Sequence, residues 1–394
     1  MSLADIVELS RYYGSRPEYV IAGGGNTSFK DEKTLYIKGS GAALADIGPE
    51  GFVKMDREKL AAIWEKNYPP APDEREAAVL ADMMAAREAG EEGKRPSVET
   101  LLHDILPFRF VVHLHPALVN ALTCSQRGEE AAAELFSSGN KLPGNLLPDT
   151  LWLPSSNPGF VLSRLAKDAL DDYRGRTGKP APVILLQNHG IFAGADSTEG
   201  IREHYRRIME TLEKRIIRKP DLGDPSGAYG PSREIGDILA EAAGETEPGL
   251  KTRAVLFLRN PEITALVKDP SSFYPLSRPF TPDHIVYAGS DPLFIETGKN
   301  GLENPRELVR GAWKEYRQRF GRNPKITALQ GLGVFGIGET EKAARLALDL
   351  FVDGIRIAVY SEAFGGPRFM TPDQVDFINN WEVERYRIRV SRSE

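Results

Sequence analysis

Two histidines one residue apart in an apolar run constrain this 394-residue chain more than any other stretch. The run is Val111-Val112-His113-Leu114-His115-Pro116, and a second apolar run leads into Asn188-His189-Gly190. Because successive side chains of a β-strand point to opposite faces, His113 and His115 point to the same side. Three histidines with an open fourth position are typical of a catalytic zinc site. The alternative is that His113 and His115 are half-buried strand residues bonded to backbone groups.

Composition excludes several classes of partner. The formal net charge of −6 argues against a nucleic-acid surface and gives no support for binding to anionic membranes. No stretch approaches the roughly 20 apolar residues of a membrane span, and the first residues have no signal-peptide pattern. The single cysteine, Cys124, excludes an internal disulfide and fits a reducing cytoplasm. We expect Cys124 to be a packing residue in a buried helix rather than a nucleophile.

Two loops of small residues resemble anion-binding turns. Gly23-Gly24-Gly25-Asn26-Thr27-Ser28 follows a predicted strand at 19–22, and Gly39-Ser40-Gly41 follows a predicted strand at 34–38. Backbone N–H groups in such loops can approach an anion closely, because glycine leaves them uncovered. Either loop alone is most simply a turn. Together they favour a phosphate site.

Glu99 lies in the first turn of a helix predicted to begin at Pro96 and to lead into the histidine strand. A carboxylate there is stabilised by the helix dipole, so a capping role is one interpretation. Near a metal ion it could instead be a base or a ligand. His103, four residues further along the same face, is predicted to pack or to support the site rather than to bind a metal directly.

The region at 220–232 is rich in proline and glycine and predicts a boundary between a domain at 1–220 and a second α/β domain at 233–394. The segment at 328–336 can be laid over the segment at 185–193, with Leu332 opposite His189. We interpret the second domain as a degenerate repeat without metal ligands. A strand is predicted at 284–288, where His284 is expected to be structural.

Five motifs together resemble the class II aldolase/adducin family over residues 1 to about 215. They are Gly25-Asn26-Thr27-Ser28, Lys38-Gly39-Ser40-Gly41, Ser97-Val98-Glu99, His113-Leu114-His115-Pro116 and Asn188-His189-Gly190. The order of motifs along the whole chain, including the segments at 278–284 and 380–384, resembles that of the aldolase portion of bifunctional rhamnulose-1-phosphate aldolase/alcohol dehydrogenases. A dehydrogenase follows in those fusions, so we expect this chain to be a stand-alone version or a fragment.

The resemblance implies an α/β fold: a three-layer α/β/α domain with a central mixed β-sheet, followed by a smaller related C-terminal α/β unit. It implies that His113, His115 and His189 hold Zn²⁺ or another divalent metal, and that Glu99 is the general acid/base. The expected phosphate ligands are Asn26, Thr27, Ser40, Gly41 and Ser97. Many members carry a second serine where this chain has Val98, so one phosphate contact differs here.

The activity implied is cleavage of a ketose 1-phosphate, of the rhamnulose 1-phosphate type, to dihydroxyacetone phosphate and an aldehyde such as lactaldehyde. Members of the family assemble as homo-oligomers. Two alternatives stay open at this point: a sugar-phosphate epimerase or dehydratase of the same family, and a non-catalytic interaction module like the adducin heads. The presence of all three histidines and Glu99 argues against the interaction module.

Overall fold

The computed structural model describes residues 2–136, 150–223, 230–246, 254–298 and 302–381. The strands are β1 Asn26–Lys30, β2 Thr34–Lys38, β3 Phe52–Asp56, β4 Phe110–Leu114, β5 Thr150–Leu153, β6 Val183–Leu186, β7 Gly190–Ala195, β8 Ala254–Leu258, β9 Leu293–Ile295, β10 Ile326–Leu329 and β11 Gly333–Gly338. The helices are α1 Leu3–Gly14, α2 Arg57–Ile63, α3 Pro72–Ala85, α4 Thr100–Ile105, α5 Ala117–Thr123, α6 Gly128–Phe136, α7 Phe160–Thr177, α8 Thr198–Glu213, α9 Gly230–Thr246, α10 Pro261–Leu266, α11 Pro270–Phe273, α12 Pro305–Phe320, α13 Glu341–Ser361 and α14 Pro372–Asn380. Short 3₁₀ turns lie at Pro49–Gly51, Tyr274–Leu276 and Glu362–Phe364.

A seven-stranded mixed sheet in the order β3-β2-β1-β4-β7-β6-β5 forms the centre of the first half. All neighbours are antiparallel except β5 and β6, which are parallel. Alternate residues of β6 face opposite sides: Val183 and Leu185 join the apolar cluster of α1, α5 and α8, whereas Ile184 and Leu186 join that of α7. The sheet is therefore the middle of three layers, as the sequence predicted.

A four-stranded sheet in the order β8-β11-β10-β9 lies in the second half. Its order and strand directions repeat those of β4-β7-β6-β5 in the first sheet. The turns also correspond, because Leu186 pairs with Gly190 and Leu329 pairs with Gly333. The duplication inferred from the sequence, and the boundary at 220–232, remain predictions; residues 224–229 of that boundary lie outside the described residues.

Helix α13 joins the two halves. It is buried along most of its length and packs against β11 on one side and α5 on the other. Cys124, which follows α5, belongs to the same apolar cluster as Ala347 and Leu350 of α13. Cys124 is fully buried, as predicted, and burial raises the pKa of its thiol to about 12. This thiol is therefore a packing group.

Two predicted strands have other conformations. Residues 19–22 form an irregular segment with turns at both ends, in which the backbone N–H groups of Tyr19 and Val20 donate to the carbonyl oxygen of Arg16 and Ala22 has φ +54°. His284–Ala288 forms a π-helical turn instead of a strand, with every residue buried against neighbouring elements such as α13. A short apolar run buried on all sides has no alternation that separates strand from helix.

Within the described ranges, no helix is both long enough and apolar enough to cross a membrane.

We predict that Leu185→Ala lowers the free energy of unfolding by about 2–5 kcal/mol, because Leu185 is fully buried in the central sheet and truncation leaves a cavity. Ile217→Ala is the matched control, since this aliphatic side chain is 72% exposed and its loss costs about 0.5 kcal/mol or less. Urea unfolding of the two variants measures both values. Equal losses would contradict the assignment of Leu185 to the core.

Candidate metal centre

Three histidines converge at one end of the first sheet. His113 is on β4, His115 follows the strand, and His189 lies in the tight turn between β6 and β7. The turn places Asn188 in the left-handed region, with φ +57°, so the chain reverses within three residues. Nitrogen atoms of the three imidazoles all lie within 4.8 Å of one another, and His113 Nε2 is 2.8 Å from His115 Nε2. The predicted ligand set is thus brought together.

Hydrogen bonds at Nδ1 orient two of the three rings. His113 Nδ1 lies 3.0 Å from the carbonyl oxygen of Ile191, and His115 Nδ1 lies 2.5 Å from Asp283 Oδ2. Because each Nδ1 faces an acceptor, it carries the proton and leaves Nε2 with its lone pair. Burial lowers the pKa of His189 to about 3, despite the opposing effect of the nearby Glu99 carboxylate. The three imidazoles are therefore a set of donors suited to a divalent cation.

Glu99 faces the same point. It precedes α4, its side chain is buried, and its Oε1 lies 3.4 Å from His113 Nε2 and 3.5 Å from His189 Nε2. Among the described residues, Oε1 has no hydrogen-bond partner. A buried carboxylate oxygen without a partner is costly unless a cation or substrate group satisfies it. Three imidazoles and this carboxylate are a donor set that fits Zn²⁺.

The other carboxylate oxygen of Glu99 is held by a chain of hydrogen bonds. Asn26 Nδ2 donates to Glu99 Oε2 at 2.6 Å, the Asn26 side-chain oxygen contacts His103 Nε2, and His103 Nδ1 lies 2.7 Å from Ser28 Oγ. Complete burial holds the pKa of His103 well below its usual value, so the ring is neutral. It donates from Nε2 to Asn26 and accepts at Nδ1 from Ser28. His103 is thus a supporting residue, as the sequence predicted.

A polar pocket adjoins the histidines. Its lining includes four of the predicted phosphate ligands together with ligands of the centre and residues from the second half of the chain: Asn26, Lys38, Ser40, Gly41, Ser97, Val98, Glu99, His115, His189, Pro282 and Asp283. Thr27, the fifth predicted ligand, is not part of this lining. Its hydroxyl pairs with Ser10 Oγ at 2.6 Å, because Thr27 points to the opposite face of β1 from Asn26 and Ser28.

Sequence reasoning missed two charged residues of this pocket. Lys38 is buried, and its ammonium lies 3.4 Å from the carbonyl oxygen of Gly23. Its position immediately before Gly39-Ser40-Gly41 could have indicated an anion-binding role, because a positively charged side chain beside two small-residue loops favours binding of an anion. Asp283 lies 168 residues from His115, and nothing in its spacing or local pattern indicates that contact.

A family model described as "Class II Aldolase and Adducin N-terminal domain" matches residues 4–214. The chain belongs to the class II aldolase and adducin family. Among its relatives, "Uncharacterized oxidoreductase YuxG" of Bacillus subtilis (strain 168) is 22% identical over 433 aligned positions, covering 99% of this chain and 58% of that protein. This chain therefore spans less than two thirds of that relative's length.

Solved structures of the family are similar to about half of this chain. The N-terminal class II aldolase domain of a conserved protein from Thermoplasma acidophilum is 27% identical, covers 54% of this chain and 93% of its own, and has a TM-score of 0.44. The L-fuculose-1-phosphate aldolase of Thermus thermophilus is 21% identical, covers 54% of this chain and 89% of its own, and has a TM-score of 0.33.

We predict that Asn188→Gly destabilises the protein by about 1–3 kcal/mol while keeping the turn conformation. The Asn188 amide donates to the carbonyl oxygens of Phe280 and Arg368, at 3.1 and 2.8 Å, and glycine leaves both without that donor. Asn188→Ala should lose roughly 1 kcal/mol more, because alanine is disfavoured at φ +57°. Urea unfolding measures both changes.

Asn304→Gly is the matched control for this prediction. Asn304 also has a left-handed backbone, with φ +50°, but it is exposed and its side chain makes no capping hydrogen bond. We expect no loss of stability there. An equal loss in both glycine variants would mean that the bridging hydrogen bonds of Asn188 contribute nothing.

Proposed function

We propose that this protein is a zinc-dependent class II aldolase that cleaves a ketose 1-phosphate to dihydroxyacetone phosphate and an aldehyde. The observation that carries the proposal is the position of Glu99 Oε1, 3.4 and 3.5 Å from the Nε2 atoms of His113 and His189. A general base held beside three metal-binding histidines suits proton transfer at a carbon next to a carbonyl group.

A divalent cation bound by His113, His115 and His189 would supply Lewis-acid stabilisation of the enediolate oxygens formed when the C3–C4 bond breaks. Glu99 would deliver a proton to C3 of the enediolate in the cleavage direction and remove it in the reverse direction. Asn26 holds the second oxygen of Glu99, so the carboxylate keeps one orientation during that transfer. The C4 hydroxyl would lose its proton to solvent as the aldehyde carbonyl forms, and Glu99 would take up a proton from solvent before it protonates C3, so protons and electrons balance without a redox partner.

The phosphate end of the substrate would lie against Ser40, Gly41 and Ser97, with Lys38 as the charged contact. These residues line the same pocket as Glu99 and His189, so one small molecule can reach both. Asn26 then serves the base rather than the phosphate. Hydroxyls, loop N–H groups and one ammonium suit a dianion, which the overall charge of −6 would otherwise repel.

L-Rhamnulose 1-phosphate is the substrate that we propose to test first, with lactaldehyde as the second product. Support comes from the resemblance to aldolase–dehydrogenase fusions. The Bacillus subtilis relative, which is longer than this chain, is named an oxidoreductase. We further propose a cytoplasmic homo-oligomer.

An epimerase or dehydratase would use the same metal chemistry on a related sugar phosphate. The adducin-like alternative needs no metal. We favour the enzyme because the buried Oε1 of Glu99 and the convergent ring nitrogens of the three histidines have no structural use in a purely adhesive module.

We predict that the zinc-loaded protein releases dihydroxyacetone phosphate from L-rhamnulose 1-phosphate. Glu99→Gln should lower kcat by about 100- to 10,000-fold, since it removes the proton carrier. His113→Ala should abolish both zinc binding and release. A coupled assay for dihydroxyacetone phosphate and metal analysis of each variant provide the measurements.

His204→Ala is the control for these variants, because His204 lies on α8 outside the pocket lining. It should keep full activity. Release that persists in His113→Ala would refute the metal mechanism. Bound zinc without release would direct the search to fuculose and pentulose phosphates, and no zinc with no release would favour the interaction module.

We also predict that Lys38→Met raises KM for the phosphorylated ketose by about 10- to 100-fold with a smaller change in kcat, because a charged hydrogen bond to the phosphate is lost. Lys33→Met is the matched control, since Lys33 is exposed in the turn before β2. Steady-state kinetics of both variants test the assignment. An unchanged KM in Lys38→Met would place the phosphate elsewhere.

A further inference from the structure

Asp283 connects the second half of the chain to the histidine centre. It lies immediately before the π-helical turn His284–Ala288, and its Oδ2 is 2.5 Å from His115 Nδ1. The Asp283 side chain is 7% exposed and that of His115 is 11% exposed, so little water competes for the contact. A carboxylate this close to a poorly solvated imidazole N–H makes a strong, charge-assisted hydrogen bond.

The glycine loop leaves room for this carboxylate. A Cβ atom on Gly24 would lie 2.5 Å from Asp283 Oδ2, a separation that real side chains do not reach. The carboxylate is therefore enclosed between the loop at 23–25 and the His115 ring. This enclosure fixes the direction in which His115 presents Nε2.

The two supported histidines differ in the charge of their acceptors. His113 Nδ1 faces a neutral backbone carbonyl, whereas His115 Nδ1 faces a carboxylate. A carboxylate behind a metal-binding imidazole fixes the tautomer, restricts rotation of the ring and raises its basicity, and removing such a partner typically weakens metal binding by about 10- to 100-fold. His115 should therefore depend on Asp283 more than His113 depends on Ile191.

Other charged groups near Asp283 do not replace it. Asp353 of α13 and His284 lie behind it, with His284 Nε2 3.6 Å from Asp353 Oδ2, and His284 Nδ1 is engaged by the Thr281 hydroxyl at 2.8 Å. Burial raises the pKa of Asp353 to about 7, so this carboxyl is partly protonated near neutral pH.

We infer that Asp283 is a positioning residue for the metal centre: it orients His115 and tightens binding of the divalent cation. The centre is thereby completed by the second half of the same chain. The inference rests on the metal site proposed above and assigns a role to a residue outside its ligand set. Asn188 provides a second link, because it ties the turn of His189 to Phe280 and Arg368.

The test measures zinc affinity of the full chain by competition with a chromophoric chelator. We expect dissociation constants about 10- to 100-fold higher in Asp283→Ala and a smaller increase in Asp283→Asn, whose amide oxygen still accepts but carries no charge. The absorption bands of the Co²⁺-substituted protein should shift in both variants. Asp349→Asn, an exposed acid on α13, is the control and should match the wild type.

The apo proteins separate positioning from folding. Thermal unfolding without metal should give similar midpoints for the wild type and Asp283→Asn, while the stabilisation by added zinc should be smaller in the variant. If Asp283→Ala weakens zinc binding and Asp283→Asn does not, a neutral acceptor is sufficient, and the inference that the Asp283 carboxylate tightens metal binding through its charge is overturned. Wild-type affinity in both variants overturns it as well. A wild-type protein that binds no zinc refutes the proposed metal site itself, and this inference with it.

Discussion

The rest of the site depends on one constraint, the burial of the Glu99 carboxylate against the Nε2 atoms of His113 and His189. Withdrawing a carboxylate from water is costly, and the lone pair at Nε2 of His113 does not offset that cost. Oε2 is satisfied by Asn26, whereas Oε1 has no hydrogen-bond partner in the described part of the chain. A divalent cation between these groups would satisfy all of them at once. Glu99 and the histidines therefore form an arrangement that is stable only when a positive charge lies between them.

The base and the histidines are held by different parts of the chain. Glu99 is fixed by Asn26, His103 and Ser28, all of which precede β4. His115, and the turn that bears His189, are held by Asp283, Phe280 and Arg368 from the second half. Helix α13, packed against both α5 and β11, keeps the two halves in register. A mutation that destabilises the second half should therefore displace His115 and His189 more than it displaces Glu99.

Local pattern marked the three histidines and Glu99 as candidates, whereas their roles as ligands and base come from the family resemblance and remain predictions. The alternation of a strand fixes His113 and His115 on one side, and the pairing of β7 with β4 brings His189, in the short turn after β6, beside them. The central mixed sheet and its helix layers were implied by the family resemblance, while apolar runs of strand and helix length indicated individual elements. Thr27 could have been separated from Asn26 by the same alternation, since neighbouring residues of β1 point to opposite faces.

Long-range packing accounts for what the sequence did not predict. Asp283 reaches His115 because α13 and its neighbours carry the segment at 280–288 to the glycine loop, and a single aspartate in a Pro-Asp-His sequence does not reveal that destination. The same packing explains the π-helical turn: a run buried on every side conforms to its neighbours rather than to its own period. Lys38 differs, because its place beside a small-residue loop was visible and only its burial was not. Residues marked by a local sequence pattern can be identified from the sequence. A residue that the second half contributes to the site is identified only from the folded structure.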